Sequence, residues 1–286
     1  MDHHRPTTYG LLALAALAWC LLAPARGEAQ NAHCTKPDGE GILFIGPSFY
    51  TTTGGFDANG RRTSYGEQAR FTRSQLGAYV EYGATDDLTL IGNFAAVRLD
   101  SRNASGTVSN TGLANPELSF AAAVERWPVI GRAFCAAGIA VKLPFRSGGD
   151  PLIGFAQTDV EWRLRSLDGF SIAGRSGYWV TDVGLRYRAG APADEFRFNA
   201  LGALRYARNW TAMISAITST GLRNGQPIEI SSNFTLNPDY ASYFVQGALL
   251  YRHARARHYQ FGVSQELAGR NAGSGTTLSL VIWQYY

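Results

Sequence analysis

Three alternating runs between Asn115 and Arg165 constrain the fold of this chain more than any other stretch. In each run, apolar side chains occupy every second position, and the positions between them carry charged or small residues. Successive side chains of a β-strand point to opposite faces, so each run predicts a strand with one apolar and one polar face. The apolar positions are Leu118, Phe120, Ala122 and Val124 in the first run, Ala137, Ile139, Val141 and Leu143 in the second, and Val160, Trp162 and Leu164 in the third.

This alternation fits two fold classes. In a soluble sandwich, the polar face meets water and a second sheet covers the apolar face. In a membrane barrel, the apolar face meets lipid and the polar face lines the lumen. Other features of the sequence distinguish between the two.

The first 30 residues predict a cleaved secretory signal. A leader with Arg5 precedes an apolar run from Leu11 to Leu22, which is too short for a membrane helix, and small residues follow it. We therefore expect an exported protein with three parts. These are a signal peptide at 1–30, a periplasmic N-terminal segment at 31–40 and an outer-membrane barrel at 41–286.

The composition favours the membrane barrel. Charged residues make up 17% of the chain, below the soluble average of about 25%, while aromatic residues make up 12%. After the signal, no apolar run approaches the roughly 20 residues that a membrane helix needs. The net charge of +4 is spread along the chain without a basic stripe, so we predict no nucleic-acid partner.

Alternation and turn residues divide the rest of the chain into about twelve strands. Short connections, such as 83–87 and 166–169, alternate with connections that are mostly longer and rich in Gly, Asn and Ser. Short periplasmic turns, longer extracellular loops and an even strand number are typical of outer-membrane barrels. We predict an all-β fold, a closed antiparallel transmembrane β-barrel of about 12 strands, with a soluble exported sandwich as the alternative. The predicted strands are 41–53, 69–82, 88–99, 117–126, 133–144, 156–165, 171–187, 195–206, 210–219, 242–252, 259–268 and 276–285.

Aromatic residues near the strand ends form two groups, which match the two interfaces of a membrane. The final run, Thr276 to Tyr286, ends in aromatics and resembles the terminal strand that the outer-membrane assembly machinery binds. We therefore predict this machinery and outer-membrane lipid as partners. The group near the short turns includes Tyr82, Trp127, Trp162, Tyr206, Trp210, Tyr251, Tyr259, Trp283 and Tyr285, and the group near the long loops includes Tyr187, Phe196, Phe198, Tyr240 and Tyr243.

From Tyr82 onward, the order of features resembles the outer-membrane protein family named after the meta-pathway of phenol degradation. The resemblance is carried by YGATDDLTLIGNFAAV at 82–97, GIAVKLPFRSGG at 138–149, SGYWVTD at 176–182 and PADEFRFNALGALRY at 192–206. Asn115-Pro116 and Phe145-Arg146 depart from the Gly-Asp pair and the Thr-Gly loop start that are common in that family. The resemblance implies a barrel related to transporters of hydrophobic compounds, and the family name points to aromatic substrates.

Charges on the polar parity would line the lumen. Near the outer ends of four neighbouring predicted strands, these charges alternate in sign and would form a belt across the pore. A barrel of about 12 strands is intermediate between filled eight-stranded and water-filled sixteen-stranded barrels, so an open channel and a plugged lumen both remain open. The predicted pore-lining residues are Glu117, Lys142, Asp159 and Arg186 in the belt, with Glu161, Arg163, Arg197 and Glu266 elsewhere in the lumen.

Two cysteines remain after the signal. Cys34 precedes the first strand and Cys135 begins the fifth, so both would lie on the periplasmic side, where a disulfide can form. Cys135 shares the parity of lipid-facing residues, which keeps two free thiols as the alternative.

The sequence shows no pattern for catalysis or for metal binding. The histidines after the signal are His33, His253 and His258, and the last two flank a turn predicted to be periplasmic. No spacing of His, Cys and carboxylates predicts a metal site, so we predict no cofactor and no enzymatic activity. The basic run from Arg252 to His258 is interpreted as a solvated turn, with a partner site as the alternative.

Together these observations predict a channel or transporter for small, hydrophobic or aromatic molecules in the outer membrane of a Gram-negative-type bacterium. One alternative is a non-transporting barrel with a structural or surface-interaction role, with contacts in the outer loop 221–239. A second alternative is an outer-membrane hydrolase, which the lack of a histidine near the outer leaflet disfavours.

Overall fold

Twelve long antiparallel strands form one closed ring in a computed structural model of the chain. The structure describes residues 34–104, 106–127, 129–144, 157–226, 228–231, 234–237 and 239–286, so the predicted signal peptide lies outside the described residues. The strands of the ring are β1 (Gly41–Thr52), β2 (Arg70–Thr85), β3 (Leu88–Asn103), β4 (Glu117–Ala123), β5 (Ala136–Lys142), β6 (Asp159–Ile172), β7 (Arg175–Arg188), β8 (Glu195–Ala207), β9 (Trp210–Gly221), β10 (Ala241–Ala254), β11 (Arg257–Arg270) and β12 (Thr276–Tyr285).

Each strand pairs with its neighbours in sequence, and β1 pairs with β12 to close the ring. In that closing pair, Ile42 lies opposite Tyr285 and Phe49 lies opposite Leu278. Closure leaves no open sheet edge, which is the condition for a sheet that spans a bilayer. The predicted all-β fold, a closed antiparallel transmembrane barrel of 12 strands, is confirmed.

Polarity is inverted relative to a soluble protein. Large apolar side chains face outward, and Trp162 and Ile214 are 63% and 64% exposed. Charged side chains face inward, and Asp159 and Glu161 are each only 2% exposed. An apolar belt around a polar interior is stable in lipid rather than in water, so the soluble sandwich is wrong.

The connection predicted at 166–169 is wrong. These residues continue β6, where Ser166 pairs with Thr181 and Gly169 pairs with Tyr178. The chain turns instead at Ala173 and Gly174, whose φ angles of 49° and 73° are typical of a two-residue hairpin turn. The hydrogen-bonded ladder between β6 and β7 therefore continues through residues 166–169, although their composition is typical of turns.

Three aromatic residues predicted at the membrane interface face the interior of the barrel instead: Tyr240, whose hydroxyl donates to Glu195, and Trp283 and Tyr285 on β12. Leu280 and Ile282 on β12 face lipid, so the alternation directs Trp283 and Tyr285 inward. The ring of Trp283 packs edge-on against Phe44, with 4.6 Å between the ring centroids. Part of the aromatic content at the end of the chain therefore fills the barrel.

The two ends of the barrel differ. The long-loop end carries extra strands, whereas the opposite end, which we call the short-turn end, has a 3-10 turn at Ile130–Arg132. Within the described part of the chain, no helix is long and apolar enough to cross a membrane. The extra strands are Gly106–Leu113, which extends β3 into a hairpin; Gly54–Phe56, Arg62–Ser64 and Ala272–Gly273, which form a small sheet; and the pair Ile228–Ser231 and Phe234–Leu236.

Candidate functional site

Strand register brings most of the predicted pore-lining charges together on one wall of the lumen. In one row of paired positions, Glu117 lies opposite Lys142, which lies opposite Asp159, and Asp159 lies opposite Arg188. We call this inner surface of β4 to β8 the charged wall. Its members are Glu117, Lys142, Asp159, Glu161, Arg163, Arg186, Arg188, Glu195 and Arg197.

Glu161 is the centre of the charged wall. Its carboxylate accepts hydrogen bonds from Arg163 at 2.9 Å, Arg186 at 2.8 Å and Arg197 at 2.9 Å. The neighbouring strand leaves room for this group, because a Cβ at Gly184 would lie only 2.8 Å from Oε1 of Glu161. Three charge-assisted hydrogen bonds offset the loss of water around the buried carboxylate.

The other carboxylates of the wall are also paired. Glu117 contacts both Arg163 and Arg186, and Asp159 lies 4.0 Å from Lys142. Arg188 approaches Asp159 at 3.5 Å. With four carboxylates and five cations, the wall carries a net charge of +1, so most of its field cancels within the wall.

The long-loop end of the wall is tied to the connection that precedes β10. Arg188 and the hydroxyl of Tyr240 both donate to the Glu195 carboxylate, at 2.8 Å and 2.6 Å. Burial, together with this carboxylate, raises the pKa of the Tyr240 hydroxyl. The hydroxyl therefore stays protonated and remains a donor at neutral pH.

A second charged group spans the interior of the barrel. Arg165 on β6 binds Asp182 on β7 at 2.7 Å and lies 3.7 Å from Glu81 on β2. Since β2 and β6 are four strands apart in the ring, the contact between Arg165 and Glu81 crosses the lumen. We call these three residues the bridge.

Aromatic side chains line the lumen beside the bridge. Phe44 stacks on Tyr79 at 5.5 Å between ring centroids and also contacts Trp283, and we call these three residues the aromatic cluster. Trp283 packs in turn against the buried apolar group that contains Met213 and Leu250. The lumen therefore combines a charged wall with an apolar, aromatic surface across from it.

Glu266 is separate from the charged wall. This carboxylate on β11 is 3% exposed and accepts hydrogen bonds from the hydroxyls of Tyr50, at 3.2 Å, and Ser242. Across the residues that the structure describes, Glu266 forms no ion pair. Its neighbours therefore hold it in place by neutral hydrogen bonds.

The segment Cys34–Glu40, which we call the strap, runs along the short-turn end. A disulfide joins Cys34 to Cys135 just before β5, with 5.8 Å between their Cα atoms. The strap thus reaches from the start of β1, past the turn between β2 and β3, to the start of β5.

Contacts with β2 and β3 hold the middle of the strap. The backbone N–H of Lys36 donates to the Thr89 hydroxyl at 2.6 Å, and its ammonium lies 3.5 Å from the inward-facing Glu81. Gly83 permits this close approach, because a Cβ at that position would lie 2.0 Å from the carbonyl oxygen of Pro37. The strap therefore contributes a cation to the bridge and covers part of the short-turn mouth.

The histidines that the structure describes lie apart from the charged wall. His253 and His258 lie at the short-turn end, and the His258 ring packs beside Tyr285 at 5.0 Å. Among the described residues, no three His, Cys, Asp or Glu side chains are grouped so that they could hold a metal ion.

Strand parity predicted most of the charged wall but not its connections. The row of paired positions that holds Glu117 and Asp159 continues to Arg188, and not to Arg186 as predicted. The Arg186 guanidinium nevertheless contacts Glu117. Arg188 and Asp182 share the parity of Arg186, so the same pattern could have identified both. The contact of the bridge across the lumen has no signal in local sequence, because only ring closure brings β2 and β6 together.

Comparison with known proteins supports the fold. No family model matches the sequence, and no curated protein matches it significantly. Among solved structures, an outer-membrane channel from Pseudomonas putida F1 is similar with a TM-score of 0.65 at 14% identity, covering 92% of this chain and 100% of that chain.

Two further solved structures are similar at lower scores. The monoaromatic hydrocarbon channel CymD has a TM-score of 0.42 at 10% identity, covering 88% of this chain and 89% of that chain. The translocator domain of the autotransporter NalP from Neisseria meningitidis has a TM-score of 0.45 at 8% identity, covering 98% and 97%. At these identities the similarity concerns the fold, and the two lower scores carry no further argument.

Proposed function

We propose that this chain is an outer-membrane channel for small hydrophobic molecules, aromatic ones included. The observation that carries the proposal is the composition of the lumen, where an aromatic cluster lies across from a charged wall whose ions are paired with one another. A solute that crosses this barrel meets apolar ring faces without having to displace water from isolated charges.

The bridge limits the size of the solute. Arg165 and Glu81 meet across the lumen, which narrows the passage at that level of the barrel. Ring faces offer weak, exchangeable contacts to other aromatic molecules, typically about 0.5–1.5 kcal/mol for a pair. Such contacts favour entry and still permit release, which a channel requires.

One structural similarity and one sequence resemblance support this proposal. The solved structure with the TM-score of 0.65 is described as an outer-membrane channel. The sequence motifs resemble the family named after the meta-pathway of phenol degradation, although no family model matches the chain. That resemblance implies hydrophobic and aromatic substrates.

Uptake by intact cells tests the proposal. Gram-negative cells that express the protein should accumulate a labelled monoaromatic hydrocarbon several-fold faster than cells without it. Trp283→Ala should change this rate because it removes a ring from the lumen, whereas Trp127→Ala, in an exposed turn, should not. Equal uptake with and without folded protein would contradict the proposal and favour the surface-interaction alternative.

Conductance in a planar bilayer tests the polar side of the lumen. Lys142→Glu replaces a partly exposed cation of the wall and lowers the net charge of the wall from +1 to −1. We expect small conductance steps in both proteins, with ion selectivity shifted toward cations in the variant. Unchanged selectivity would mean that ions do not pass along the charged wall.

A further inference from the structure

A group of arginines lies at the short-turn end on the side of β8 to β11. Arg208 lies in the turn between β8 and β9, and Arg205 precedes it at the end of β8. Arg255 lies in the turn between β10 and β11, which Arg252 and Arg257 flank. All five side chains are exposed. We call these five residues the basic rim.

Backbone contacts make the basic rim one surface rather than two separate turns. Strands β9 and β10 are neighbours, and the backbone N–H of Arg252 donates to the Asn209 carbonyl at 2.8 Å. The Arg252 guanidinium also donates to the Arg208 carbonyl at 3.0 Å. The two turns therefore hold their arginines side by side.

The basic rim lies at the depth of a membrane interface. Trp210 and Tyr251 face outward directly beside it, with 4.8 Å between their ring centroids, and Tyr259 follows on β11. Outward aromatic rings of this kind mark the boundary between hydrocarbon and headgroups. Arg208, Arg255 and Arg257 come next along the chain, so they stand at the level of the lipid phosphates. Arg205 and Arg252 pair with the inward-facing Thr211 and His258, so strand alternation directs these two side chains toward the barrel mouth.

One polar contact on the outer surface supports this depth. Arg257 follows the outward parity of Tyr259, and its guanidinium donates to Gln284 at 2.9 Å. Gln284 follows Leu280 and Ile282 on the lipid-facing side of β12 and is the last residue on that side of the strand. A polar side chain therefore replaces an apolar one at the end of the strand nearest the headgroups. A hydrogen-bonded polar pair on the lipid-facing surface is stable at the interface but not within hydrocarbon.

Carboxylates do not neutralise the basic rim. Across the ranges that the structure describes, none of the five arginines forms an ion pair with the protein. On another sector of the same end, Asp86 instead accepts hydrogen bonds from the strap. Apart from the hydrogen bonds of Arg252 to the Arg208 carbonyl and of Arg257 to Gln284, the arginine donors of the rim are therefore available to an external anion.

We propose that the basic rim binds the phosphate groups of anionic glycerophospholipids in the leaflet at the short-turn end. Arginine presents several N–H donors in a geometry that matches phosphate oxygens. An anionic lipid is favoured over a zwitterionic one because each nearby arginine adds attraction to its net charge. The aromatic rings beside the rim would contact the acyl chains of the same lipid.

Fluorescence quenching by brominated lipids tests this proposal. A variant that retains Trp210 alone is placed in bilayers with a small fixed fraction of lipid brominated on the acyl chains. Brominated phosphatidylglycerol should quench Trp210 about threefold more than brominated phosphatidylcholine. The excess should disappear near 1 M salt, where the screening length falls to about 3 Å.

Matched variants make the result specific. Replacing Arg208, Arg255 and Arg257 by Gln should remove the excess, whereas replacing Arg61 and Arg62, exposed residues at the opposite end, should preserve it. Trp127, retained alone in a third protein, reports on another sector of the same end and should show no excess. Heat-dependent gel mobility verifies that every variant is folded.

Three outcomes would overturn the proposal. These are equal quenching of Trp210 by both lipids at low salt, an excess that survives loss of the three arginines, or an equal excess at Trp127. The last outcome would assign the preference to the net charge of the whole protein.

Discussion

Opening the disulfide between Cys34 and Cys135 should release the strap from the short-turn mouth. The bond is the anchor at the far end of the strap, whereas the other end continues directly into β1. Without the bond, the seven residues Cys34–Glu40 are held by their remaining contacts alone. The strap then stays ordered only if those contacts offset the conformational entropy that its seven residues lose on ordering.

The contacts of the strap give the magnitude. Five hydrogen bonds join it to β2, to β3 and to Asp86 in the turn between them, and each contributes about 1 kcal/mol net, or about 5 kcal/mol together. The ion pair of Lys36 with Glu81 is partly exposed and adds at most about 1 kcal/mol. Ordering seven residues costs about 1–2 kcal/mol each, or at least about 7 kcal/mol. The balance favours release once the bond is open.

Conductance with and without reductant measures this release. A water-soluble reductant added on the short-turn side should raise the conductance of the native protein, because the strap and its Lys36 ammonium leave the mouth. Protein with Cys34→Ser and Cys135→Ser together should already show the higher conductance. This double variant should not respond to reductant, and hydrogen exchange in residues 35–40 should be fast in both open forms.

A specific result would refute this reasoning. If the double variant is folded but retains low conductance and slow exchange in residues 35–40, the contacts alone hold the strap. The assigned balance between hydrogen bonds and chain entropy would then be wrong. If exchange becomes fast while conductance is unchanged, the strap does not restrict the passage.

The structure makes further predictions on stability and on packing. Glu161→Gln leaves three arginines without their central carboxylate, so it should lower the free energy of unfolding by about 3–5 kcal/mol in a urea titration in detergent. Glu67→Gln, at an exposed loop position, is the control and should change that free energy by less than about 0.5 kcal/mol. Gly83→Ala should displace the strap and speed its hydrogen exchange, because the added Cβ meets backbone at 2.0 Å, whereas Gly247→Ala points into open space and should not. A protected strap in the Gly83→Ala protein would contradict the close approach seen in the structure.

The alternation of the sequence determined the strand count, the outward apolar belt and the inward placement of Glu117, Lys142 and Asp159. These follow from local geometry, since a strand sends successive side chains to opposite faces whatever lies around it. Local composition failed where polar residues continued a strand, as at 166–169, because hydrogen bonds to β7 decide whether the chain turns there.

Only the tertiary structure decided which inward residues meet. Arg165 reaches Glu81 because ring closure places β6 across from β2, and 84 positions of sequence separate the two side chains. Alternation directs Trp283 inward, but its contact with Phe44 depends on the register of β12 against β1 in the closed ring. The strap reaches Cys135 because the strand order places the starts of β1 and β5 at the same end of the barrel. Contacts across a closed barrel depend on strand order and register, which no short stretch of the sequence contains.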